Sequence, residues 1–416
     1  MKSTSLNYPI TDSNWIEKLC RWADAHYEFF AFTNGNSYEY PEQPFATRFL
    51  AGNNQLTEKE IWAESTGFKK VGIIGYDFKN KLEKLKSENN PFFELPELCF
   101  FQPSFSLKFE GENIYSDVEL TDEFWIEIEK TELPNSANTS CAVTPQISQE
   151  KYLATVKTIQ NHIIEGNTYE SNFCQAYSGS FENWDPIGAY FKLKKLSPMP
   201  FSALFKAKSQ WLVSASPERY LKRTGSKIIA QPIKGTIRRG QSLAEDAVNR
   251  ETLANSEKEQ AENLMITDLM RNDLSKVSKT GSVQVRELFG IYRLPRVFQM
   301  ISTIASELKE GVSFSDIIQA SFPMGSMTGA PKIRTMEIIE ELESFKRGWF
   351  SGAFGVIEEN GDFDFSVIIR SIIADLEVKK LYFGVGSAIT YDADAVQEYE
   401  ECSLKAQAIL EVLSGK

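Results

Sequence analysis

Apolar residues at Tyr152, Val156, Ile159 and Ile163 recur at helical spacing and predict a helix over Ser148 to Glu165, with Ser148 as its cap and Gly166 as its stop. Asn167 to Ser178 then turns back as a strand, and from Trp211 the pattern is hairpin-like through Gly225. A longer helix is predicted from about Ser256 to Leu274, with Ala261, Leu264, Met265 and Leu269 as its apolar stripe. Another covers about Lys332 to Glu343, with Pro331 in its first turn, and a last one about Ala395 to Leu413. Between these two, Phe365 to Ala374 and Lys380 to Gly386 are β-rich. Residues 1–130 are aromatic-rich, with short strand-like runs such as Phe29 to Phe32 and Val71 to Asp77. Pro, Ser, Asn and Thr cluster in TELPNSANTSCAVTPQ, which marks residues 131–146 as a linker between an N-terminal region, 1–130, and a larger region, 147–416. Strand runs separated by long helices, without regular βαβ alternation, predict an α+β fold.

Composition narrows the chemistry. The chain has 416 residues, 42% hydrophobic and 25% charged, as in an ordinary soluble globular protein. No apolar run approaches the roughly 20 residues a membrane helix needs, and the polar start is no signal peptide, so a cytoplasmic protein is expected. Five cysteines without CxxC spacing argue against a disulfide framework or a cysteine zinc site, and His26 and His162 are too few for histidine-rich metal sites or most Ser-His designs. Chemistry is left to carboxylates, lysine and backbone. A net charge of −12 disfavours general nucleic-acid binding, so an anionic substrate would need a local positive pocket.

Several residues stand out for that chemistry. In QPIKGTIRRG, Pro232 and Gly235 let the chain bend around Lys234, and Arg238 and Arg239 would ease keeping its amine neutral and nucleophilic; a basic surface turn is the alternative. Glu259 and Glu262, and again Glu398 and Glu401, stand three apart on predicted helices, so each pair shares a face and suits Mg²⁺; a capping box at Ser256 and a solvated face are the alternatives. Free amides around Gly329 and Ala330 at a helix start would favour an anion, or the segment is a structural turn. Arg370 at a strand end could clamp a carboxylate, or pair with Asp364 or Asp375. Glu218 beside Arg219 reads alone as a surface ion pair.

Taken together, PIKGT, SPER (Ser216 to Arg219), KEQAENLMITDLMRNDLSKV (Lys258 to Val277), SFPMGSMTGAPKIRTMEIIEELE (Ser321 to Glu343) and EYEECSLKA (Glu398 to Ala406) resemble the chorismate-utilising enzymes. VGIIGYDFKN (Val71 to Asn80) is similar to their N-terminal region. The resemblance implies a four-layer sandwich of two mainly antiparallel sheets with helices outside, its two regions interleaved in one body. It implies that Glu262 and Glu401 bind the Mg²⁺ that holds the ring carboxylate of chorismate, with Glu259 and Glu398 as outer carboxylates. It implies substrate contacts from Gly235, Thr236 and Thr328, an enolpyruvyl carboxylate held by Arg370 and the amide of Gly386, and help from Lys405 at the ring carboxylate. Glu218 takes the place of the acid for the C4 hydroxyl. Ala388 replaces a glycine, Cys402 a threonine, and Gln299 a histidine of many relatives.

Lys234 selects the branch by the same resemblance. Isochorismate and salicylate synthases activate water with a lysine where this chain has Glu170, and anthranilate synthases have alanine where it has Lys234. Lys234 and PFSALF (Pro200 to Phe205) resemble the component I branch that aminates chorismate at C4 toward p-aminobenzoate and folate, with the lysine attacking C2 covalently. Ammonia is expected from a separate glutamine amidotransferase subunit, and aromatisation from another enzyme, since no lyase domain follows Lys416. An anthranilate-type enzyme and a non-catalytic scaffold stay open as alternatives.

Overall fold

In a computed structural model, residues 4–6, 14–36, 38–64, 67–111 and 113–415 are described. They form two antiparallel sheets, one of twelve strands and one of ten, with helices outside. Strands from both sides of the predicted linker share each sheet. Phe29–Asn34, Arg48–Gly52 and Phe105–Glu110 lie in the larger sheet with Glu170–Ser180, Phe201–Ala207 and Lys380–Ile389, while Lys70–Ile74 and Leu98–Gln102 join the smaller one beside Ala353–Ile357. Residues 131–143 carry no helix or strand and run along the C-terminal helix, where the Cys141 amide donates to the Leu413 carbonyl at 2.9 Å.

The run FFAF explains the layering. Alternate side chains of a strand point to opposite faces. Phe29 and Ala31 enter the core between the sheets, whereas Phe30 and Phe32 enter a second core under the helices Trp15–His26, Gln149–Ile164, Pro186–Leu196 and Ala395–Leu413. A strand buried on both faces therefore loses the polar alternation of a surface strand. The helices Glu257–Val277 and Phe314–Ser321 cover the smaller sheet.

The expected hairpin from Trp211 to Gly225 is divided between the layers. Gln210–Ser216 belongs to the larger sheet and Arg219–Thr224 to the smaller, so the chain changes sheet at Pro217 and Glu218. The expected strand from Phe365 to Ala374 is divided in the same way: Phe363–Val367 lies in the smaller sheet, Ser371–Asp375 in the larger, and Ile368 to Arg370 cross between. The two crossings lie side by side, the Val367 amide donating to the Glu218 carbonyl at 3.0 Å and the Ala215 amide to the Arg370 carbonyl at 3.2 Å.

The long helix begins after Ser256, whose side chain caps the Glu259 amide, but its buried face is not the predicted one. Ala261 and Leu264 are exposed, and Glu262, Asn263, Ile266, Thr267, Met270 and Asp273 point inward. Polar partners explain the rotation: Asn263 meets Met300 and Ser302, and Asp273 meets Lys332 at 2.5 Å. Pro331 sits at the cap of Lys332–Leu342, one place before its first turn. All five cysteines are free and buried.

One buried cation knits three elements. Arg347 pairs with Glu343 at 2.5 Å, donates to the Met327 carbonyl at 2.7 Å and the Asn172 carbonyl at 3.0 Å, and lies over the Tyr76 ring at 4.6 Å. Breaking a buried pair leaves an uncompensated charge and costs about 3–5 kcal/mol, whereas replacing both partners by apolar or neutral groups costs far less. Arg347→Ala is expected to lower the unfolding free energy from urea titration by that amount, and Glu343→Gln with Arg347→Met to recover at least half of it.

Candidate active site

Lys234 does not lie in a turn. Lys227–Gln231 and Ile233–Arg238 both pair with Val297–Glu307, and Pro232 joins them. Between Ile233, opposite Ile301, and Thr236, opposite Gln299, the Lys234 strand carries one extra residue. Such a bulge re-aims a side chain. Gly235 makes it possible: its φ is +90°, and a Cβ there would come within 3.1 Å of the Glu259 carboxylate.

Neither expected cationic neighbour contacts Lys234, although Arg238 also lines the cleft. Arg238 is exposed near Glu245, and Arg239 pairs with Asp246 at 2.5 Å over the Phe298 ring. Lys234 instead donates to Glu170 at 2.7 Å. Burial works against the ammonium, but Glu170 and Glu262 outweigh it and raise the lysine above its ordinary range. The resting side chain is therefore a cation, not the neutral amine that flanking arginines would favour.

Glu218 and Arg370 emerge from the two crossings into one cleft of about 380 Å³ with Lys234. The surface-pair reading of Glu218 and Arg219 does not hold. Both are buried, and Arg219 turns away to Asp364 at 2.8 Å, to Gln231 and over the Phe201 ring. Burial pushes the Glu218 carboxyl up to about 7, against the hydrogen bond from Ser326 at 2.6 Å and the charge of Lys234. With Asp364 taken by Arg219 and Asp375 capping the amides of Glu377 and Val378, Arg370 has no ion-pair partner among the described residues. Burial lowers its affinity for a proton, and its φ of +52° aims a strained backbone at the cleft. An unpaired, half-buried guanidinium invites a carboxylate.

The four predicted metal carboxylates line the same cleft. Lys258 stands 3.0 Å from Glu398 and 3.8 Å from Glu262, and Lys405 holds Glu401 at 2.5 Å and the Gly386 carbonyl at 2.8 Å. Burial raises Glu259, and raises Glu262 to about 7; burial works on Glu401 too, but Lys405 keeps it low. Among the described residues no three acidic, histidine or cysteine side chains converge as a ready-made ligand cluster. The donor set nonetheless fits Mg²⁺, which needs one or two carboxylates and keeps waters. The lysine ammonium between Glu262 and Glu398 already marks a place for positive charge.

Gly386, Thr236 and Ala388 line the cleft, and a Cβ at Gly386 would meet the Cys174 sulfur at 2.5 Å. Thr328 does not line it: its hydroxyl turns into its own loop, toward the carbonyls of Met324 and Gly325, both at 3.3 Å. Gly329 and Ala330 offer no anion turn either, because they form a short edge strand paired with Ser171 and Glu170. Ser326 and Met327 of that motif face the cleft instead. Sequence reasoning missed Ser326, Asn172, the partnership of Glu170 with Lys234, and Lys258, although the i,i+4 spacing of Lys258 and Glu262 was there to be read. Gln299 also lines the cleft, with a buried side-chain oxygen that has no hydrogen-bond partner in the structure.

Two facing antiparallel sheets with acids, lysines and an unpaired arginine at one cleft define an enzyme built to hold a small polyanion. Residues 22–411 match the profile of the chorismate binding enzymes, and the chain belongs to that family. It is 33% identical over 350 residues to aminodeoxychorismate synthase component 1 of Klebsiella aerogenes, covering 83% of this chain and 77% of that one. It is 36% identical over 365 residues to the chloroplastic aminodeoxychorismate synthase of Arabidopsis thaliana, covering 81% of this chain and 39% of that longer one. The fold is that of anthranilate synthase component I from Streptococcus pneumoniae, with a TM-score of 0.73 at 23% identity over 98% of this chain and 92% of that one. The expected family and sandwich are thereby borne out.

An unpaired, half-buried cation adds nothing to the empty protein's stability. Arg370→Met is expected to hold or raise the thermal midpoint, by about 1–2 °C, while abolishing detectable chorismate binding by calorimetry. A midpoint several degrees lower would show that Arg370 has a structural partner.

Proposed function

We propose that the protein is the synthase component that converts chorismate and ammonia to 4-amino-4-deoxychorismate, a step toward p-aminobenzoate and folate. The observation that carries this is a lysine, Lys234, aimed by a bulge into a cleft that also holds an acid with a raised pKa, Glu218. Chorismate carries two carboxylates. Arg370 and the Gly386 region take the enolpyruvyl carboxylate, and the ring carboxylate lies toward Lys405 and the acidic cluster. Glu262 and Glu401 hold Mg²⁺, with Glu259 and Glu398 outside them. Bound there, the metal would neutralise the ring carboxylate.

The amine of Lys234 forms a bond to C2, the two ring double bonds shift, and the C4 oxygen leaves as water with the proton of Glu218. Ammonia then bonds to C4, the double bonds return, and the lysine leaves C2. Two easier displacements replace one difficult one. A glutamine amidotransferase subunit supplies the ammonia, as the component 1 naming of the relatives supports.

The test is product analysis by chromatography and mass spectrometry after incubation with chorismate, Mg²⁺ and excess ammonium. A 4-amino product that keeps its enolpyruvyl group, and is lost in Lys234→Ala, is expected; anthranilate as the product would overturn the assignment. The pH profile follows from Glu218. Its carboxyl is raised to about 7 from an ordinary 4.5, so the acid form persists to neutral pH and is lost above it. kcat/KM is expected to fall about tenfold per pH unit above that point. Glu218→Gln should remove this limb, lower the rate by about 10²–10⁴, and leave the protein more stable at pH 8, because the penalised carboxylate is gone.

A further inference from the structure

Lys234 cannot attack anything as an ammonium ion, so the proposed chemistry requires an acceptor for its proton. Glu170 is the carboxylate in contact with it, at 2.7 Å through one oxygen. Water is kept from this pair: the lysine side chain is 11% exposed and the glutamate side chain 1%. The second oxygen of Glu170 is buried and has no hydrogen-bond partner in the structure. This carboxylate accepts a single side-chain donor, the lysine itself.

The backbone of Glu170 is held with unusual care. It opens the strand Glu170–Ser180 and pairs with Ala330. The Thr168 hydroxyl donates to its carbonyl at 2.9 Å, and a Cβ on Gly329 would lie 2.0 Å from that same oxygen. Gly329 and Ala330 thus fix the backbone of Glu170 and do not themselves line the cleft. A structural salt bridge would need no such seat, and would neutralise its lysine permanently. Here the lysine lines the cleft that also holds Glu218 and Arg370.

We infer that Glu170 is the general base that takes the proton of Lys234 and returns it at the end of the turnover. The inference rests on the function proposed above. Proton transfer along the existing hydrogen bond converts ammonium and carboxylate into amine and carboxylic acid, with no net charge created in the buried pair. The free amine forms its bond to C2. When ammonia bonds to C4 and displaces the lysine from C2, the surplus proton of the new amine goes to the Glu218 carboxylate, the departing lysine recovers its proton from Glu170, and the pair is restored. No further reactant is consumed.

The test compares Glu170→Gln, which keeps shape and hydrogen bonding but accepts no proton, with the intact protein in the chorismate, Mg²⁺ and ammonium assay. A wild-type protein that makes no 4-amino product would sink the function reading and leave this comparison without meaning, so that arm is run first. With product made, Glu170→Gln is expected to lower kcat by about 10²–10⁴ and to leave chorismate affinity by calorimetry within about threefold. A kcat within about tenfold of wild type would overturn the inference and leave Glu170 a counter-charge. Glu170→Ala supplies the second arm if the glutamine variant does not fold. Added formate should restore its rate in proportion to concentration, which a purely structural role would not allow; a folded alanine variant unmoved by formate would also overturn it.

Discussion

The hydrogen bond from the Val367 amide to the Glu218 carbonyl joins the two places where the chain leaves one sheet for the other. At such a crossing the backbone has no ladder partner on either side, and a buried amide or carbonyl must find one. The two crossings solve this for each other. Because they lie together, the side chains that emerge from them, Glu218 and Arg370, enter the same cleft from opposite sheets. The site is thus a by-product of how two packed sheets exchange strands, and the spacing of acid and anion clamp is set by core packing that involves neither.

That origin also explains what the sequence revealed. The helix limits at Ser148, Ser256 and Ala395 were legible because caps and periodicity are local. The carboxylates Glu259, Glu262, Glu398 and Glu401 were legible because helical spacing puts them on one face. The crossings were not. SASPERYLK reads as part of one hairpin and FSVIIRSIIA as one β run, since the halves of each are strands and nothing local says that they belong to different sheets. The partner of Lys234 was equally hidden: Glu170 lies far away in sequence, while the adjacent arginines suggested a cationic environment that their own acidic partners cancel. The inward face of Glu257–Val277 misled for a related reason, because it is polar where hydrophobic periodicity expects apolar residues.

Such departures concentrate around the cleft. Buried Glu218 and Glu262, a half-buried, left-handed Arg370 without an ion-pair partner and an unpartnered Gln299 oxygen all cost stability in the empty protein. The large aromatic cores on both faces of the twelve-stranded sheet offset that cost, and the Arg347 knot keeps the strand of Asn172 and the loop of Met327 from relaxing around it. On the proposed function, a substrate with two carboxylates would supply the missing partners, and the protein would be better satisfied loaded than empty.

The extra residue at Lys234 and Gly235 has a consequence for how this family can diverge. Side chains of a strand alternate with period two, so removing one residue from the bulge would heal the ladder and point whatever follows Ile233 to the opposite face. The amine of Lys234 would leave the cleft with the lysine still in the sequence. Insertions and deletions here are therefore more consequential than substitutions, and the chemistry is encoded as much in a count of residues as in the identity of the lysine.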